Sequence, residues 1–238
     1  MTNTVAKLSP LVLLAAAACD AQVDGDHQGQ VLATLEGTMH SATPSPSSVA
    51  IDVSVVWVIG SGGTSFVGSD KVEVEGSLPS SFSLSIFTPP TDDVMSDWDG
   101  IKFGAALVTV SPAGEDPEAW QAWRGVENDR VLVYLPESPP AGSAVAGLLA
   151  GTPSAGFHVY DVKRLTEAER QQRLDCSTQL FHSLGYMPSR AEIFAACGGT
   201  GSDELTLAAD DLDTQLSIEI VDDFGLDEFN ALPRWSGL

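Results

Sequence analysis

Regular alternation of apolar and polar residues is the feature of this sequence that most restricts its fold. Phe82, Leu84 and Ile86 alternate with three serines. Successive side chains of a β-strand point to opposite faces, so this period indicates strands with one buried face. The same pattern marks segments 51–59, 71–75 and 214–221, and a looser form marks 31–39, 102–110, 130–135 and 157–162. Turn residues separate these segments, so the sequence predicts a mainly β fold, an antiparallel β-sandwich.

A helical pair interrupts the β pattern near the C-terminus. Thr166 with Glu169, and Ser189 with Glu192, each form the capping box that begins a helix. Glycines follow both helices and predict their ends. The predicted organisation is a β-sandwich over 30–163, a helical hairpin over 165–198, and a returning strand with an acidic tail over 199–238. We expect the hairpin to cover strand 130–135, which is apolar on both faces and needs cover on both.

Two cysteines lie at matching positions in the predicted hairpin. Cys176 precedes the turn glycine Gly185 by nine residues, and Cys197 follows Ser189 by eight. At about 1.5 Å per helical residue, the two lie level on antiparallel helices. The spacing therefore predicts a structural disulfide. The alternative is a metal or redox pair, with His182 as a further ligand, but no Cys-x-x-Cys spacing is present.

The N-terminus has the pattern of an export signal. Lys7 is followed by an apolar run that ends in four alanines, and that run is too short to span a bilayer as a helix. The segment Leu14-Ala-Ala-Ala-Ala-Cys19 resembles the lipobox of bacterial lipoproteins. The resemblance implies a signal peptide over 1–18, cleavage before Cys19 and lipidation of that cysteine. The alternative is an ordinary signal peptide cut at an Ala-x-Ala site.

The segment after Cys19 is polar and has little apolar surface to bury. Residues 19–29 therefore suit a flexible tether, which ten extended residues would make at most about 35 Å long. Two or more acyl chains hold a protein firmly on a membrane, whereas one binds only marginally. We expect a protein of the cell envelope that is held on a membrane by lipid, either in the periplasm or at the cell surface.

The charge balance excludes one large class of partners. The chain has 11 Lys and Arg against 33 Asp and Glu, a net charge of −22. Binding to nucleic acid depends on Lys and Arg that displace counterions from phosphate, so we expect no nucleic-acid partner. A strongly acidic surface repels anionic headgroups in the same way, and its usual effect is to keep a protein soluble.

An acidic loop is the candidate metal site. Asp92, Asp93, Asp97 and Asp99 lie together before Gly100. Calcium is bound by several carboxylate and carbonyl oxygens, which an Asp-rich loop can supply. The spacing does not fit the EF-hand pattern, and a solvated acidic turn is the alternative. No cofactor other than calcium is predicted.

Three tryptophans are the candidate ligand platform. Trp120 and Trp123 are three residues apart in a segment, 116–124, that has the Asp-Pro start and Gly end of a short helix. Together with Trp98 they would stack on sugar rings or apolar side chains if exposed. The alternative is that they pack in the core.

Residues 37–90 resemble small periplasmic lipoprotein sandwiches of the pilotin type. The similarity consists of Gly37 opening a loop, an apolar strand at 50–59, and the run Leu78-Pro-Ser-Ser-Phe82-Ser-Leu84. It covers under a quarter of the chain and implies only a sandwich.

No catalytic motif is present, so the sequence favours a non-catalytic envelope lipoprotein that binds a partner or has a structural role. A calcium- or carbohydrate-binding module is the first alternative. A hydrolase of unrecognised type is the second, and no nucleophile and base can be named for it.

Overall fold

The computed structural model describes residues 29–41, 50–59, 65–199, 205–222 and 224–232. The strands are β1 Ala33–Ser41, β2 Ile51–Ile59, β3 Ser65–Val74, β4 Ser80–Ile86, β5 Ser96–Trp98, β6 Ile101–Pro112, β7 Gly125–Val126, β8 Arg130–Leu135, β9 Gly156–Arg164, β10 Leu205–Asp210 and β11 Leu216–Ile220. The helices are α1 Ala144–Leu148, α2 Glu167–Leu184, α3 Arg190–Cys197 and α4 Leu226–Ala231. The predicted mainly β fold is confirmed.

The strands form two sheets. The smaller has the order β11-β1-β4, and the larger has the order β10-β9-β8-β6-β2-β3, with β5 and β7 paired to β6. All pairs are antiparallel except β1 with β11, where Gly37 lies opposite Leu216 in a parallel ladder. The expectation of a wholly antiparallel arrangement is therefore wrong at this pair. The returning strand predicted at 214–221 enters the sheet beside the first strand.

Gly37 lies in the middle of β1 and does not open a loop, so that element of the pilotin resemblance is wrong. A Cβ atom at Gly37 would lie 2.5 Å from the Phe82 ring of β4 and 2.8 Å from the Leu216 carbonyl oxygen of β11. Only glycine leaves room for the ring at this place, where neighbouring strands lie on both sides.

One buried cluster joins the two sheets. It contains Leu35 and Leu84 from the smaller sheet, and Val53, Val108 and Val159 from the larger one. These are the positions that the period-two pattern marks as apolar. The alternation therefore identified the strand faces that meet in the main core.

A second buried cluster covers the other face of β8. Val131 and Val133 contact Val145 and Leu149, which belong to α1 and its end, and Phe194 of α3 packs against the same group. The hairpin was expected to cover this face of β8, but only its helix α3 does so, because α2 has no buried residue. The short helix α1 supplies much of the rest.

The helix expected over 116–124 is not formed. Only a 3₁₀ turn, Trp120–Ala122, is present, and the backbone is extended on both sides of it. The Trp123 side chain is fully buried in a third cluster with Val126 and Phe224.

Candidate functional site

The disulfide predicted in the helical hairpin is confirmed. Cys176 and Cys197 are bonded, with their Cα atoms 5.8 Å apart. Both sulfurs are used in the bond, so the two cysteines are not available as thiolate ligands of a metal in this state. The bridge ties α2 to α3 well away from the turn that joins them.

Both predicted capping boxes are present. Thr166 Oγ1 accepts a hydrogen bond from the Glu169 backbone N–H, and the Glu169 carboxylate accepts one from the Thr166 N–H at 2.7 Å. Ser189 and Glu192 repeat this arrangement at α3. These backbone hydrogen bonds are the first cause of the lowered pKa of each glutamate. The helices thus begin where the sequence places them.

Among the described residues, the apolar contacts of the hairpin with the core come from α3, while Glu169 of α2 lies 3.8 Å from Lys163 of β9. Phe194 lies so close to α1 that a Cβ atom at Gly147 would be 2.6 Å from it. The Phe194 ring also lies 6.1 Å from the Trp98 ring, and the Arg190 guanidinium lies 4.1 Å from the centre of that ring. The 18-residue helix α2 therefore lies on the outside, held mainly through α3 and the disulfide.

The outer side of the hairpin carries most of the large apolar side chains that are exposed in the described part of the chain. We call five of them the hairpin surface. Leu174, Phe181 and Leu184 share one side of α2, because their spacing of seven and three residues is helical. Tyr186 and Met187 follow in the turn. The exposed fractions are 49% for Leu174, 44% for Phe181, 37% for Leu184, 52% for Tyr186 and 80% for Met187.

The charge of the hairpin differs from that of the rest of the chain. Residues 163–190 contain five of the 11 Lys and Arg residues but only three of the 33 acidic residues. From Cys176 to Ala191 there is no Asp or Glu, and the only basic residues are His182 and Arg190. An apolar surface with few acidic residues therefore lies on a protein that is otherwise strongly acidic, and Glu192 at its border accepts a hydrogen bond from the Tyr186 hydroxyl at 2.7 Å.

The aspartates of the predicted calcium loop point to separate partners. Lys102 Nζ donates to Asp92 at 2.6 Å, and the Gly100 N–H donates to Asp97 at 2.8 Å. A hydrogen bond from the Thr91 side chain is the first cause of the lowered pKa of Asp93. Asp99 occupies the turn with a positive φ of 55°. Among the described residues, no group of three or more His, Cys, Asp or Glu side chains is arranged to hold a metal ion.

The three tryptophans of the predicted platform do not share an exposed surface. Trp98 is buried against Phe103 beneath α3, and Trp123 is fully buried in a different cluster. Trp120 is partly buried and stacks on Phe229, with ring centres 4.4 Å apart. Trp98 and Trp123 therefore pack in the core, which was the alternative interpretation of these tryptophans.

Sequence reasoning missed a row of buried polar side chains across β2 and β6. Asp52 lies opposite Ser111, and Ser54 lies opposite Thr109. All four are almost fully buried, yet the three hydroxyls and one oxygen of Asp52 have no hydrogen-bond partner. The other oxygen of Asp52 accepts from Lys71 at 2.8 Å. The alternation around Val53 and Val55 suggested a solvated outer face here, and only the tertiary structure shows that this face is covered.

Neither family models nor curated proteins nor solved structures give a match to this chain.

Cys19, the predicted signal peptide and nearly all of the predicted tether lie outside the described residues. No helix in the described ranges is long and apolar enough to cross a membrane.

Proposed function

We propose that this chain is a lipid-anchored, non-catalytic protein of the bacterial envelope that binds a partner protein through the hairpin surface. The observation that carries the proposal is the exposure of five large apolar side chains on a disulfide-bridged hairpin. Exposed contiguous apolar side chains on a soluble domain commonly mark an interaction site.

The composition of the hairpin surface supports a protein partner. Protein interfaces are enriched in aromatic residues and Met, and depleted in Lys, Glu and Asp. The stretch from Cys176 to Ala191 has this composition, with Phe181, Tyr186 and Met187 and no acidic residue. Helix α2 would present its apolar side to a groove, a recurrent mode of recognition for helices.

The charges favour a particular kind of groove. The hairpin surface is surrounded by a protein with a net charge of −22, so a partner with an apolar groove bordered by Lys and Arg is attracted to it. A second copy of this chain would be repelled by the same charge. A membrane of anionic lipid is also disfavoured, because Arg190 is the only Lys or Arg in the acid-free stretch and its guanidinium lies over Trp98.

The anchor and the fold complete the proposal. The lipobox supports lipidation of Cys19, and a disulfide is compatible with the oxidising compartment outside the cytoplasm. A tether over 19–29 would let the folded domain stand up to about 35 Å from the lipid surface. We further propose that the two sheets, which share one buried cluster, are the layers of a β-sandwich.

Site-specific photo-crosslinking in the bacterium that makes the protein tests the hairpin surface. A photoreactive residue at Leu184 or Met187 should give one discrete protein adduct. The same residue at the exposed positions Glu75 and Leu226 should not give that adduct. An adduct with lipid alone, an adduct with a second copy of this chain, or identical adducts at all four positions would contradict the proposal.

Affinity for the crosslinked partner, once purified, tests the apolar contact directly. Phe181→Asp or Leu184→Asp should weaken binding at least about tenfold, because an ionised carboxylate must then be buried in the interface. Leu226→Asp is the control, since Leu226 is also an exposed apolar residue and lies on α4, outside the hairpin. An equal loss in the control would show that net charge, and not the hairpin surface, determines the affinity.

Metabolic labelling with a fatty acid tests the anchor separately. The wild-type protein should incorporate the label and sediment with membranes, whereas Cys19→Ala should do neither. Mass spectrometry of the N-terminal peptide should place the lipid on Cys19. An unlabelled protein that begins with an unmodified Cys19, or that keeps Met1, would contradict the anchor without affecting the test of the hairpin.

A further inference from the structure

Strand β10 is the outermost strand of the larger sheet, and in the described part of the chain it has a neighbouring strand on one side only. Its six residues pair with β9 in a continuous antiparallel register, from Leu205 opposite Arg164 to Asp210 opposite Val159. Every second residue of such a strand directs its N–H and C=O groups away from the paired strand. A row of backbone groups of this kind is a template for pairing with another chain.

The hydrogen bonds of β9 show which residues of β10 face outward. The Val162 N–H donates to the Asp129 carbonyl oxygen at 2.7 Å, on the side of β9 that faces β8. Val162 therefore makes no backbone hydrogen bond to Leu207, the residue opposite it in β10. Leu207 directs its N–H and C=O outward, and so do Leu205 and Ala209 at a spacing of two. We call the outward backbone groups of these three residues the open edge.

The side chains of β10 leave the open edge accessible. Ala208 and Ala209 point to opposite faces of the sheet, and both are exposed. Leu207 is 5% exposed and belongs to the cluster that α3 contacts, so the strand itself is fixed in the fold. From Leu205 to Ala209 there is no charged residue, no proline and no bulge, which are common protections of edge strands.

The other sheet edges in the described ranges have side chains that bind their backbone groups. The Ser217 N–H of β11 donates to Glu127 at 2.8 Å, and the Gly68 N–H of β3 donates to Glu118 at 3.1 Å. Asp70 of β3 accepts hydrogen bonds from the two N–H groups that directly follow β4. Strand β10 therefore differs from β3, β4 and β11 in having an edge that can take a further strand.

Carboxylates lie at one end of the open edge and determine which charge a partner should carry. Asp210 is paired with Arg130 at 3.1 Å, but Asp211 and Asp213 follow it and are exposed. A partner segment with Lys or Arg at this end is attracted by these carboxylates. A second copy of the chain is disfavoured as the occupant, because each copy has a net charge of −22.

We propose that the open edge binds an extended segment of a protein partner, which adds a strand to the larger sheet and places Lys or Arg beside Asp211 and Asp213. Main-chain hydrogen bonds from Leu205, Leu207 and Ala209 hold the segment, as in other cases of strand addition to a sheet edge. The open edge is separate from the hairpin surface and does not depend on the partner proposed for that surface.

Hydrogen exchange with a synthetic peptide as the probe tests the main-chain pairing on the folded protein. The probe has about six alternating threonine and valine residues, the length of β10, between lysines at both ends. At saturation it should slow exchange of the Leu205, Leu207 and Ala209 amides at least about tenfold. The amides of Thr206 and Ala208, which already face β9, should change little.

The same peptide with methylated backbone nitrogens is the control for attraction by charge alone. It keeps the lysines but has no N–H donors and cannot pair closely with a strand, so it should give no protection. Absence of protection by the first peptide, or equal protection by the methylated peptide, would overturn the proposal.

Ala209→Pro tests the open edge itself. Proline removes an outward N–H without removing a bond to β9, and edge strands tolerate proline at such a position. The variant should keep the melting temperature of the wild type and bind the probe at least about tenfold more weakly. Ala209→Ser is the matched control, because it keeps the N–H and should bind as the wild type does. A folded proline variant with unchanged binding would overturn the proposal, and the methylated peptide tests the same contact without any variant.

Asp211→Asn together with Asp213→Asn tests the charge of the partner segment. These changes should weaken binding of the lysine probe several-fold, because the carboxylates beside the open edge are lost. Glu73→Gln together with Glu75→Gln is the matched control, since it removes two exposed carboxylates in and beside the edge strand β3. Equal weakening in the control would overturn the placement of the basic end.

Two further measurements separate this proposal from other outcomes. Phe181→Asp, on the hairpin surface, should leave probe binding unchanged, so a failure of either proposal is seen independently of the other. Sedimentation of the wild type should show a monomer. A dimer that Ala209→Pro abolishes would identify a second copy as the occupant and overturn the proposal.

Discussion

The Arg190 guanidinium lies 4.1 Å from the centre of the Trp98 ring. This contact joins the first residue of α3 to the strand β5, and the Phe194 ring lies beside the same tryptophan. Trp98 is therefore covered by the hairpin and serves as its docking point on the β core. A residue that the sequence suggested as a ligand platform instead holds the proposed binding element in place.

Arg190→Ala should weaken the attachment of the hairpin by about 1 kcal/mol, the usual size of a cation–π contact. The measurement is amide hydrogen exchange in α3, which should become about fivefold faster while the strands are unchanged. Arg190→Lys should retain part of the protection. Arg170→Ala is the control, because Arg170 pairs with Glu167 on the exposed side of α2. Faster exchange of equal size in the control would contradict the prediction.

Cys176→Ser together with Cys197→Ser should loosen the hairpin and leave the sheets folded. A disulfide that closes a loop with a sequence separation of 21 stabilises by about 3 kcal/mol. Helix α2 has no buried residue, so little else holds it against α3. Hydrogen exchange should accelerate in α2 while strands β2 and β6 stay protected. Ser177→Ala, at the next position, should change neither, and cooperative unfolding of the sheets would contradict this account.

Glu127→Gln should destabilise the whole protein by about 1–3 kcal/mol. Glu127 is 2% exposed, and its two oxygens accept hydrogen bonds from the Asp129 N–H at 2.9 Å and the Ser217 N–H at 2.8 Å. A glutamine has one acceptor oxygen, so one backbone N–H loses its partner. Urea denaturation measures the loss. Glu36→Gln, whose exposed carboxylate accepts from Gln215, should cost far less. Equal costs would contradict the prediction.

Asp210 should make the stability of the protein depend on pH in the acidic range. Hydrogen bonds from Thr214, then from Arg130 and from the Asp211 N–H, lower the pKa of Asp210 below its ordinary value of 3.8. A lowered folded-state pKa contributes stability above the unfolded-state pKa, and this stability is lost as the pH falls through the folded-state pKa.

The comparison of wild type with Asp210→Asn measures this contribution. The wild type should be the more stable protein at pH 6, and the difference should shrink as the pH falls below about 4. Asp211→Asn is the control, because Asp211 donates to Asp210 through its backbone N–H, which the variant keeps. A difference that stays constant down to pH 2 would contradict the assignment.

Local signals in the sequence predicted the elements that depend on local chemistry. The capping residues Thr166 and Ser189 mark the starts of α2 and α3, because their side chains bond to backbone groups within the same turn. The pairing of Cys176 with Cys197 follows from helical rise over a short loop. The strand β10 was missed, since Leu205–Asp210 lacks a clear alternation and forms its strand by pairing with β9.

Local sequence pattern predicted the candidate sites much less well. Leu174 and Phe181 have helical spacing, which ordinarily indicates a buried face, yet both are exposed because no sheet lies against that side of α2. Trp123 was a candidate for exposure and is fully buried. Burial is decided by what lies opposite a residue, and that neighbour is usually distant along the chain.

The sequence alone therefore determined the strand faces, the two helix starts and the disulfide, and it predicts an export signal before Cys19. These features follow from the period of side-chain direction, from hydrogen bonds within one turn and from the length of a short loop. Only the tertiary structure decided that β11 joins β1 in parallel, that Arg190 covers Trp98, and that α2 faces outward. Each of these is a contact between segments far apart along the chain, and such contacts depend on how the sheets and helices pack together.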